Sequence, residues 1–225
     1  RSASSLRTST VWPYPSDSET LDPATSGSFE QRVTTHRAGS AYQFRSGDIL
    51  LTGGLAYEQT TIGGEEGWPV QRSSTRSYGT FLPSASMKVD EGSGFFRVRY
   101  SASSIIPSFG QTQEVVDNAH PMYQTIGNPR LQAGVQHSVD AQYTHQEGGG
   151  LRYWVNARGG LSSNGICRAI TLFDADTTLS NGATFLPGGE LTSYVNEGGA
   201  WNVITSFAIS FPVSVLASRL SLWTS

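Results

Sequence analysis

Apolar and polar residues alternate along most of the chain after about residue 30, a period that predicts strands with two different faces. In "FFRVRYSAS", for example, Phe96 and Val98 alternate with Arg97 and Arg99. The same alternation recurs in "THRAGSAYQFR", "ILLTGGLAY", "YGTFLPSASMKV", "VQHSVDAQYTH", "LRYWVNAR" and "WNVITSFAISF", and "SRLSLW" begins a further strand. We therefore predict an all-β chain with about eight antiparallel strands.

The connections between these strands alternate in length. Short connections with Gly or Pro, suited to tight turns, are "RSGD", "DEGSG", "QEGGG" and "FPVSV". Between them lie long links over 63–72, 104–133 and 167–190. This rhythm predicts an up-and-down transmembrane β-barrel with tight turns on one side and large loops on the other.

The two faces of the predicted strands differ in chemistry. Large aromatic residues cluster beside the short turns, as in an interfacial girdle: Tyr42, Phe44, Phe96, Tyr143, Tyr153, Phe207 and Phe211. His137 and His145 share a face and are predicted to mark the two ends of a lipid-facing stripe. Polar residues expected to face the lumen are Arg97, Arg99, Arg152, Arg158, Asp140 and Gln142. Alternation alone also fits a soluble β-sandwich binding or adhesin-like module, so this alternative remains open.

Composition narrows the class of protein. The chain has 225 residues, of which 15% are charged, and a net charge of -3 with scattered basic residues, so we expect no nucleic-acid partner. Cys167 is the single cysteine, which excludes a disulfide between two cysteines of this chain. The mean hydropathy of -0.28 leaves the membrane question open, because alternating strands average to a low value.

The domain organisation follows from the same pattern. Residues 1–29 are predicted to be a loop or a partial strand, and 30–225 a segment of a β-barrel, which the family resemblance given below assigns to the outer membrane. Residue 1 is Arg, and the final "SRLSLWTS" is typical of the middle of a strand. We therefore expect the chain to be a fragment.

Motifs for catalysis or metal binding are missing from the sequence. It contains no HExxH, GxSxG, P-loop or CxxC, and its four His lie in separate segments. "DADTTLSNG" begins like a calcium loop, but the glycine and final acid are misplaced, so a solvated loop is expected. A glycan-processing enzyme would need paired carboxylates, and none stands out. We expect no enzyme activity, no cofactor and no metal.

One long link carries a family resemblance. The run "IIPSFGQTQEVVDNAHPMYQTIGNPRLQ" is similar to a segment of TonB-dependent receptors and the receptor-like outer-membrane β-barrels of Gram-negative bacteria. In them a strand ends in Pro-Ser, and the loop closes with Gly-Asn-Pro-x-Leu. The matching residues here are Pro107, Ser108, Gly127, Asn128, Pro129 and Leu131. "THRAGSAY", "FLPSASMKV" and "GGELTSYVNEGGAW" also resemble strands of that family, in the same order.

The resemblance implies a location, a function and partners. It implies a barrel in outer-membrane lipid that transports a ligand or nutrient and is energised by a periplasmic coupling protein through a plug domain. This sequence shows no plug domain and no energy-coupling box. The short turns are expected on the periplasmic side and the long loops outside. For an unknown small ligand, the candidate contacts in the longest loop are Gln113, Asp117, Asn118, His120 and Tyr123.

Overall fold

A computed structural model describes residues 2–7, 28–68, 72–113, 116–120, 122–179 and 184–225. In chain order the elements are β1 (Ser2–Arg7), β2 (Ser28–Ser46), β3 (Ile49–Trp68), β4 (Arg72–Asp90), β5 (Gly94–Ile105), α1 (Phe109–Thr112), β6 (Val116–His120), β7 (Tyr123–Ile126), β8 (Gly134–Gln146), β9 (Arg152–Ser163), β10 (Gly165–Phe173), β11 (Thr177–Thr178), β12 (Thr184–Phe185), β13 (Gly189–Glu197), β14 (Ala200–Val213) and β15 (Ser218–Thr224). The structure therefore confirms the all-β class.

The main sheet is an antiparallel meander of nine strands. Its order is β1-β2-β3-β4-β5-β8-β9-β14-β15. All eight strands predicted from the alternation are in it, and β1 is the ninth. The division of the chain at residue 30 stays a prediction.

Four short turns lie at one end of this sheet, as predicted. They join β2 to β3, β4 to β5, β8 to β9 and β14 to β15. Gly47 and Gly92, in the first two turns, have φ of 56° and 67°, in the left-handed region that glycine adopts at low cost. We call the opposite end of the sheet the long-loop end.

Two of the three predicted long links are shorter in the structure than in the prediction, because strands occupy part of each. The link over 63–72 is wrong because β3 and β4 stay paired up to Glu66 and Arg72. The link over 167–190 contains most of β10 and the first residues of β13. Over 63–72 the strands extend past the apolar residues of the outer face, so the alternation that reveals a strand weakens there. The link over 104–133 is a long excursion, but it includes α1, β6 and β7.

A smaller sheet stands at the long-loop end. Its order is β10-β13-β7-β6, and β7 runs parallel to β13. The β10–β13 pair continues the β9–β14 pair, since β10 starts two residues after β9 ends and β14 starts three after β13. Asn164, with φ of 55°, makes the bend between β9 and β10.

The register places apolar and polar residues on opposite faces of the main sheet. One cross-strand row contains Phe44, Leu51, Met87, Val98, Ala141 and Ala157. The adjacent row contains Gln43, Thr52, Ser86, Arg99, Asp140 and Arg158. We call the apolar side the outer face and the polar side the inner face. This confirms the predicted separation of the two faces.

The buried residues of the described chain concentrate at the long-loop end. Leu82 and Ile62 on the inner face are 2% and 6% exposed, while Tyr42 and Trp201 on the outer face are each 74% exposed. Such large exposed apolar side chains indicate contact with lipid or a partner rather than water. Within the described ranges, no helix is long and apolar enough to span a membrane.

Candidate functional site

Residues 106–133 and the β10–β13 hairpin fold together at the long-loop end, and we call them the loop assembly. It begins with α1, which is one turn long and capped reciprocally. The Ser108 amide donates to Gln111 Oε1 at 2.9 Å, and the Gln111 amide donates to Ser108 Oγ at 3.3 Å. This capping box satisfies two backbone donors that a short helix leaves open.

The helix docks on the inner face of the wall. Phe109 is 7% exposed and lies against Gly64 of β3, where a methyl group would come within 1.9 Å of the Phe109 ring. Pro107, just after β5, is fully buried. The loop therefore turns inward over the sheet.

The Gly127-Asn128-Pro129 segment forms a turn packed against α1. A Cβ on Gly127 would lie 2.3 Å from the Gln113 carbonyl oxygen, so only glycine fits at this approach. The Asn128 amide donates to the Gln111 carbonyl at 2.7 Å. Its side-chain amide donates to the Tyr194 carbonyl of β13 at 2.8 Å. The turn thus links the helix to the hairpin.

Two further asparagines complete these links. The side chain of Asn196 accepts from the Gln132 amide at 2.8 Å and donates to the Gln132 carbonyl at 3.0 Å. It also donates to the Asn164 carbonyl at 3.1 Å, and Asn164 in turn donates to the Ala133 carbonyl. Leu131, 3% exposed, is buried in this segment but precedes β8, which starts at Gly134. The Gly-Asn-Pro-x-Leu segment therefore ends three residues before the chain re-enters the wall at Gly134.

Polar contacts also tie the loop assembly to the wall. Arg76, on the inner face of β4, donates to the Pro129 carbonyl. Ser104, at the end of β5, donates to the Glu58 carboxylate of β3. Arg76 therefore anchors the assembly to β4, while Ser104 joins the end of β5, where it has left β4, to β3 within the wall.

One face of the smaller sheet is covered by the chain itself. Leu191 and Gln124 are 9% and 5% exposed, and Gln124 donates to the Thr184 carbonyl at 3.0 Å. Phe185 is 2% exposed and stacks on Phe173, with ring centroids 4.3 Å apart. The segment between β10 and β13 thus supplies this cover.

The other face of the smaller sheet, which we call the open face, is accessible. Two cross-strand rows form it: Leu172, Glu190, Tyr123 and His120, and then Ile170, Thr192, Thr125 and Asp117. Tyr123, Leu172 and Ile170 are 67%, 66% and 60% exposed. An aromatic ring, aliphatic side chains and an imidazole therefore share one surface.

The predicted ligand contacts are only partly brought together. Asp117, His120 and Tyr123 have register positions on the open face. Asn118 lies on β6 between them, and Gln113 is apart, at the C-cap of α1 against Gly127. Sequence reasoning missed Ile170 and Leu172. The alternation in "RAITLF" was a usable signal for them.

The wall carries two aromatic levels on its outer face. Beside the short turns, Tyr143 and Tyr153 have ring centroids 5.8 Å apart, and His145 stacks on Tyr153 at 5.1 Å. Towards the long-loop end, Tyr57 and Phe81 pair at 5.1 Å. On β3 eight residues separate the two levels, roughly 26 Å along the strand and about 20 Å after tilt, near the ~25 Å of a membrane band.

Charge is confined to the inner face between these levels. In the described part of the chain, no Asp, Glu, Lys or Arg has an outer-face register position there. On the inner face, Arg158 contacts Asp140 at 3.4 Å and Lys88 contacts Asp90. No group of three or more His, Cys, Asp or Glu that could hold a metal occurs among the described residues.

Comparison with known proteins agrees with this architecture. The model of the outer membrane protein beta-barrel family matches residues 4–216. A solved double mutant of the Serratia marcescens hemophore receptor HasR, in complex with its hemophore HasA and heme, is 14% identical with a TM-score of 0.54, over 86% of this chain and 33% of that one. No curated protein matches the sequence significantly.

Two other solved receptors match with lower scores. A mutant of the ferric enterobactin receptor PfeA of Pseudomonas aeruginosa is 10% identical, with a TM-score of 0.48 over 86% of this chain and 35% of that one. The siderophore receptor PirA of Acinetobacter baumannii is 10% identical, with a TM-score of 0.46 over 81% of this chain and 35% of that one. The chain spans about a third of the length of these three receptors.

The antiparallel meander, its apolar outer face and its polar inner face define the wall of a transmembrane β-barrel. Since the family model covers most of the sequence, the chain belongs to the outer membrane protein beta-barrel family of bacterial outer membranes. The predicted membership in an outer-membrane β-barrel family is confirmed by the family model, and the predicted fold of receptor-type barrels is confirmed by the likeness to HasR. A transmembrane barrel wall therefore replaces the soluble β-sandwich that the alternation alone had left open.

Proposed function

We propose that this chain forms wall strands and ligand-facing loops of a receptor that moves a small ligand across the outer membrane. The observation that carries this proposal is the loop assembly, which is anchored over the inner face by Phe109 and Arg76 and presents an open face. A wall that only spanned the membrane could join its strands with short loops, because the backbone groups of such loops hydrogen-bond to water. It would not need a long loop packed over the inner face.

The proposal includes an orientation and partners. The short turns are periplasmic and the long-loop end is extracellular, as in the family that the sequence resembles. Transport by such a receptor draws energy from a periplasmic coupling protein through a plug domain. The chain acts in transport and has no enzymatic role.

The proposed ligand contacts lie on the open face. Tyr123, Ile170 and Leu172 offer an exposed apolar surface, and His120 offers a polar group at its β6 side, where Asp117 has a register position. This combination suits a small ligand with a planar or apolar body and polar substituents. Gln113, at the C-cap of α1, and Asn118, on β6, are proposed as secondary contacts.

Direct binding tests this proposal. Heme is the first probe, since the HasR complex contains it, and ferric enterobactin is the second. With the native protein purified in detergent, we expect Tyr123→Ala to weaken binding of the recognised probe by at least about tenfold. Tyr42→Ala, which removes a similarly exposed tyrosine from the outer face (74% against 67% for Tyr123), is the matched control and should bind normally.

Two results would count against the proposal. Equal affinity of Tyr123→Ala and the native protein would remove the open face as the ligand site. Cells that lack the protein would also be compared with cells that contain it. Equal uptake of both probes, and of a wider set of labelled nutrients, would contradict a transport role.

A further inference from the structure

The strand β10 has one side to which no strand is paired. It pairs with β13 on the other side, and within the described ranges nothing continues the smaller sheet beyond β10. Its register with β13 runs without a shift from Gly165 to Phe173, and the strand contains no Pro and no Lys. Sheets commonly protect a free side with such residues or with a bulge. β10 therefore presents a regular, unprotected side.

The strand at the other end of the smaller sheet differs. β6 has five residues, and its register with β7 shifts between Asp117 and His120. Such an irregularity interrupts the row of backbone groups that a further strand would pair with. Continuous pairing is therefore favoured at β10 over β6.

The register shows which backbone groups of β10 point outwards. The Glu190 amide of β13 donates to the Met122 carbonyl at 2.8 Å, on the β7 side and away from β10. Its partner Leu172 therefore directs its own N–H and C=O away from β13, because antiparallel strands alternate hydrogen-bonded and non-hydrogen-bonded pairs. The same holds for every second residue of the strand. We call the set the β10 edge: Ile166, Arg168, Ile170 and Leu172.

The chemistry of the β10 edge identifies the kind of partner. Its N–H and C=O groups repeat over six residue steps, roughly 20 Å, a spacing that matches another extended backbone. A compact ligand would leave most of them unpaired. Ile170 and Leu172 are 60% and 66% exposed, so an added strand would also gain apolar contacts at alternate positions.

Charges at the two ends of the β10 edge favour a free peptide in one orientation. Arg168 is exposed and lies in no ion pair among the described residues. Asp174 and Asp176, both exposed, follow the strand at its other end. An antiparallel peptide would place its terminal ammonium near the aspartates and its terminal carboxylate near Arg168. From Arg168 to Asp174 the span is about seven residues of extended chain.

We propose that the β10 edge binds a free oligopeptide of about seven residues as an added antiparallel strand. This inference rests on the proposed function, because it adds a class of ligand at the border of the open face of the same receptor. Backbone hydrogen bonds provide the binding, so the edge accepts many sequences. Alternate apolar residues are preferred opposite Ile170 and Leu172.

Calorimetric titration of the native protein in detergent tests the backbone pairing. The probe is the heptapeptide Thr-Thr-Val-Thr-Val-Thr-Thr with free termini, whose two Val lie opposite Leu172 and Ile170. N-methylation of both Val amides should weaken binding by at least about tenfold, because these amides donate to the edge. N-methylation of the central Thr, whose amide points away from β10, is the matched control and should leave the affinity unchanged.

The terminal carboxylate is tested with Arg168→Glu. This variant should bind the free heptapeptide at least about fivefold more weakly, since it places two negative charges together. The same peptide with an amidated C-terminus should bind the variant and the native protein equally. Heat-modifiable migration checks that the variant is folded.

Residue-resolved hydrogen exchange locates the peptide. At saturation, we expect exchange at the Ile170 and Leu172 amides to slow by at least about fivefold, while the Thr171 amide, which points to β13, should not change. Absence of binding, or equal binding of the native and the Val-methylated peptide, would overturn the proposal. Protection of Ile170 and Leu172 before any peptide is added would also overturn it, because another segment or a second copy would already occupy the edge.

These assays involve neither heme nor ferric enterobactin nor uptake. A peptide that binds at the β10 edge but is not taken up by cells would retain the edge site and contradict transport. Transport of another ligand without peptide binding would retain the proposed function and remove the edge site.

Discussion

Single residues at the long-loop end determine whether the loop can close on the wall. Gly127 allows the turn to approach α1, Ser108 caps that helix, and Gly64 leaves room for the Phe109 ring. The two glycines act because they lack a side chain, and Ser108 acts through the hydrogen bond of its hydroxyl group. The loop should therefore respond to very small substitutions.

Gly127→Ala should release the loop without unfolding the wall. The added methyl group would overlap the Gln113 carbonyl oxygen, which we expect to destabilise the loop by about 1–3 kcal/mol. Limited proteolysis of residues 107–133 in the folded protein should become faster. The matched control is Gly110→Ala, because nothing lies within 4 Å of that position. Equal cleavage rates for the two variants would contradict the packing described for the turn.

At the scale of elements, the loop assembly depends on a few amide links between segments distant in sequence. Asn196 of β13 holds Gln132 and the bend at Asn164, and these residues are 64 and 32 positions away. Asparagine suits this role because its side chain both donates and accepts. The links place β7 beside β13 and so define the open face.

Replacing Asn196 by Asp tests these links. The change keeps the acceptor for the Gln132 amide but removes both donated bonds, and we expect a local loss of about 1–3 kcal/mol. Hydrogen exchange at the amides of β7 and β13 should accelerate. Asn202→Asp, the same substitution at an exposed position of β14, should leave this exchange unchanged. Protection that is unaltered in Asn196→Asp would show that packing alone holds the assembly.

A second test at this scale compares adjacent residues of β8. Val139 is on the outer face midway between the aromatic levels, and Ser138 is on the inner face. Arg at position 139 would face hydrocarbon, at a cost of about 2–4 kcal/mol, whereas Arg at position 138 would face the lumen. We expect the yield of folded protein in membranes to fall for Val139→Arg only. A larger defect for Ser138→Arg would reverse the assignment of the faces.

At the scale of the whole molecule, the main sheet has two edges, β1 and β15, which are not paired to each other in the described residues. Its outer face shows large apolar side chains such as Tyr42, Phe81 and Trp201 to the surroundings. The outer face suits a wall in lipid and disfavours a water-soluble monomer. In lipid the backbone groups of the two edges also need hydrogen-bond partners, so we expect both edges to be paired in the membrane.

The native protein should therefore require detergent after extraction. In detergent we expect a β-rich circular dichroism spectrum and an unboiled band that migrates differently from the boiled one. The physical reason is that detergent covers the apolar outer face, and a sheet whose backbone groups are hydrogen-bonded between strands resists detergent unfolding until it is heated. A soluble β-rich monomer in detergent-free buffer would contradict the lipid-facing role of the outer face.

Much of the wall could be read from the sequence because lipid and lumen impose a period of two. Phe96 and Val98 alternate with Arg97 and Arg99, and the register keeps them on opposite faces. The four short turns were also predictable from their Gly and Pro residues. Beyond the aromatic level at Tyr57, β3 meets no lipid, and the alternation no longer marks where the strand ends.

The open face could be predicted only in part. His120 and Tyr123 were identified from the sequence by their chemistry within one loop, and both have register positions on the open face. Ile170 and Leu172 come from a hairpin almost 50 residues further on, and a parallel pairing between β7 and β13 brings them alongside. No local pattern specifies such a pairing.

The sequence by itself thus determined the all-β class, the strands of the wall and their two faces, because burial against lipid acts on every second residue. Only the tertiary structure decided how the long loop folds back over the inner face and which residues form the open face. Those outcomes depend on contacts such as Asn128 with Tyr194 and Phe109 with Gly64, which join segments separated by tens of residues. Periodicity carries no information about contacts of that range.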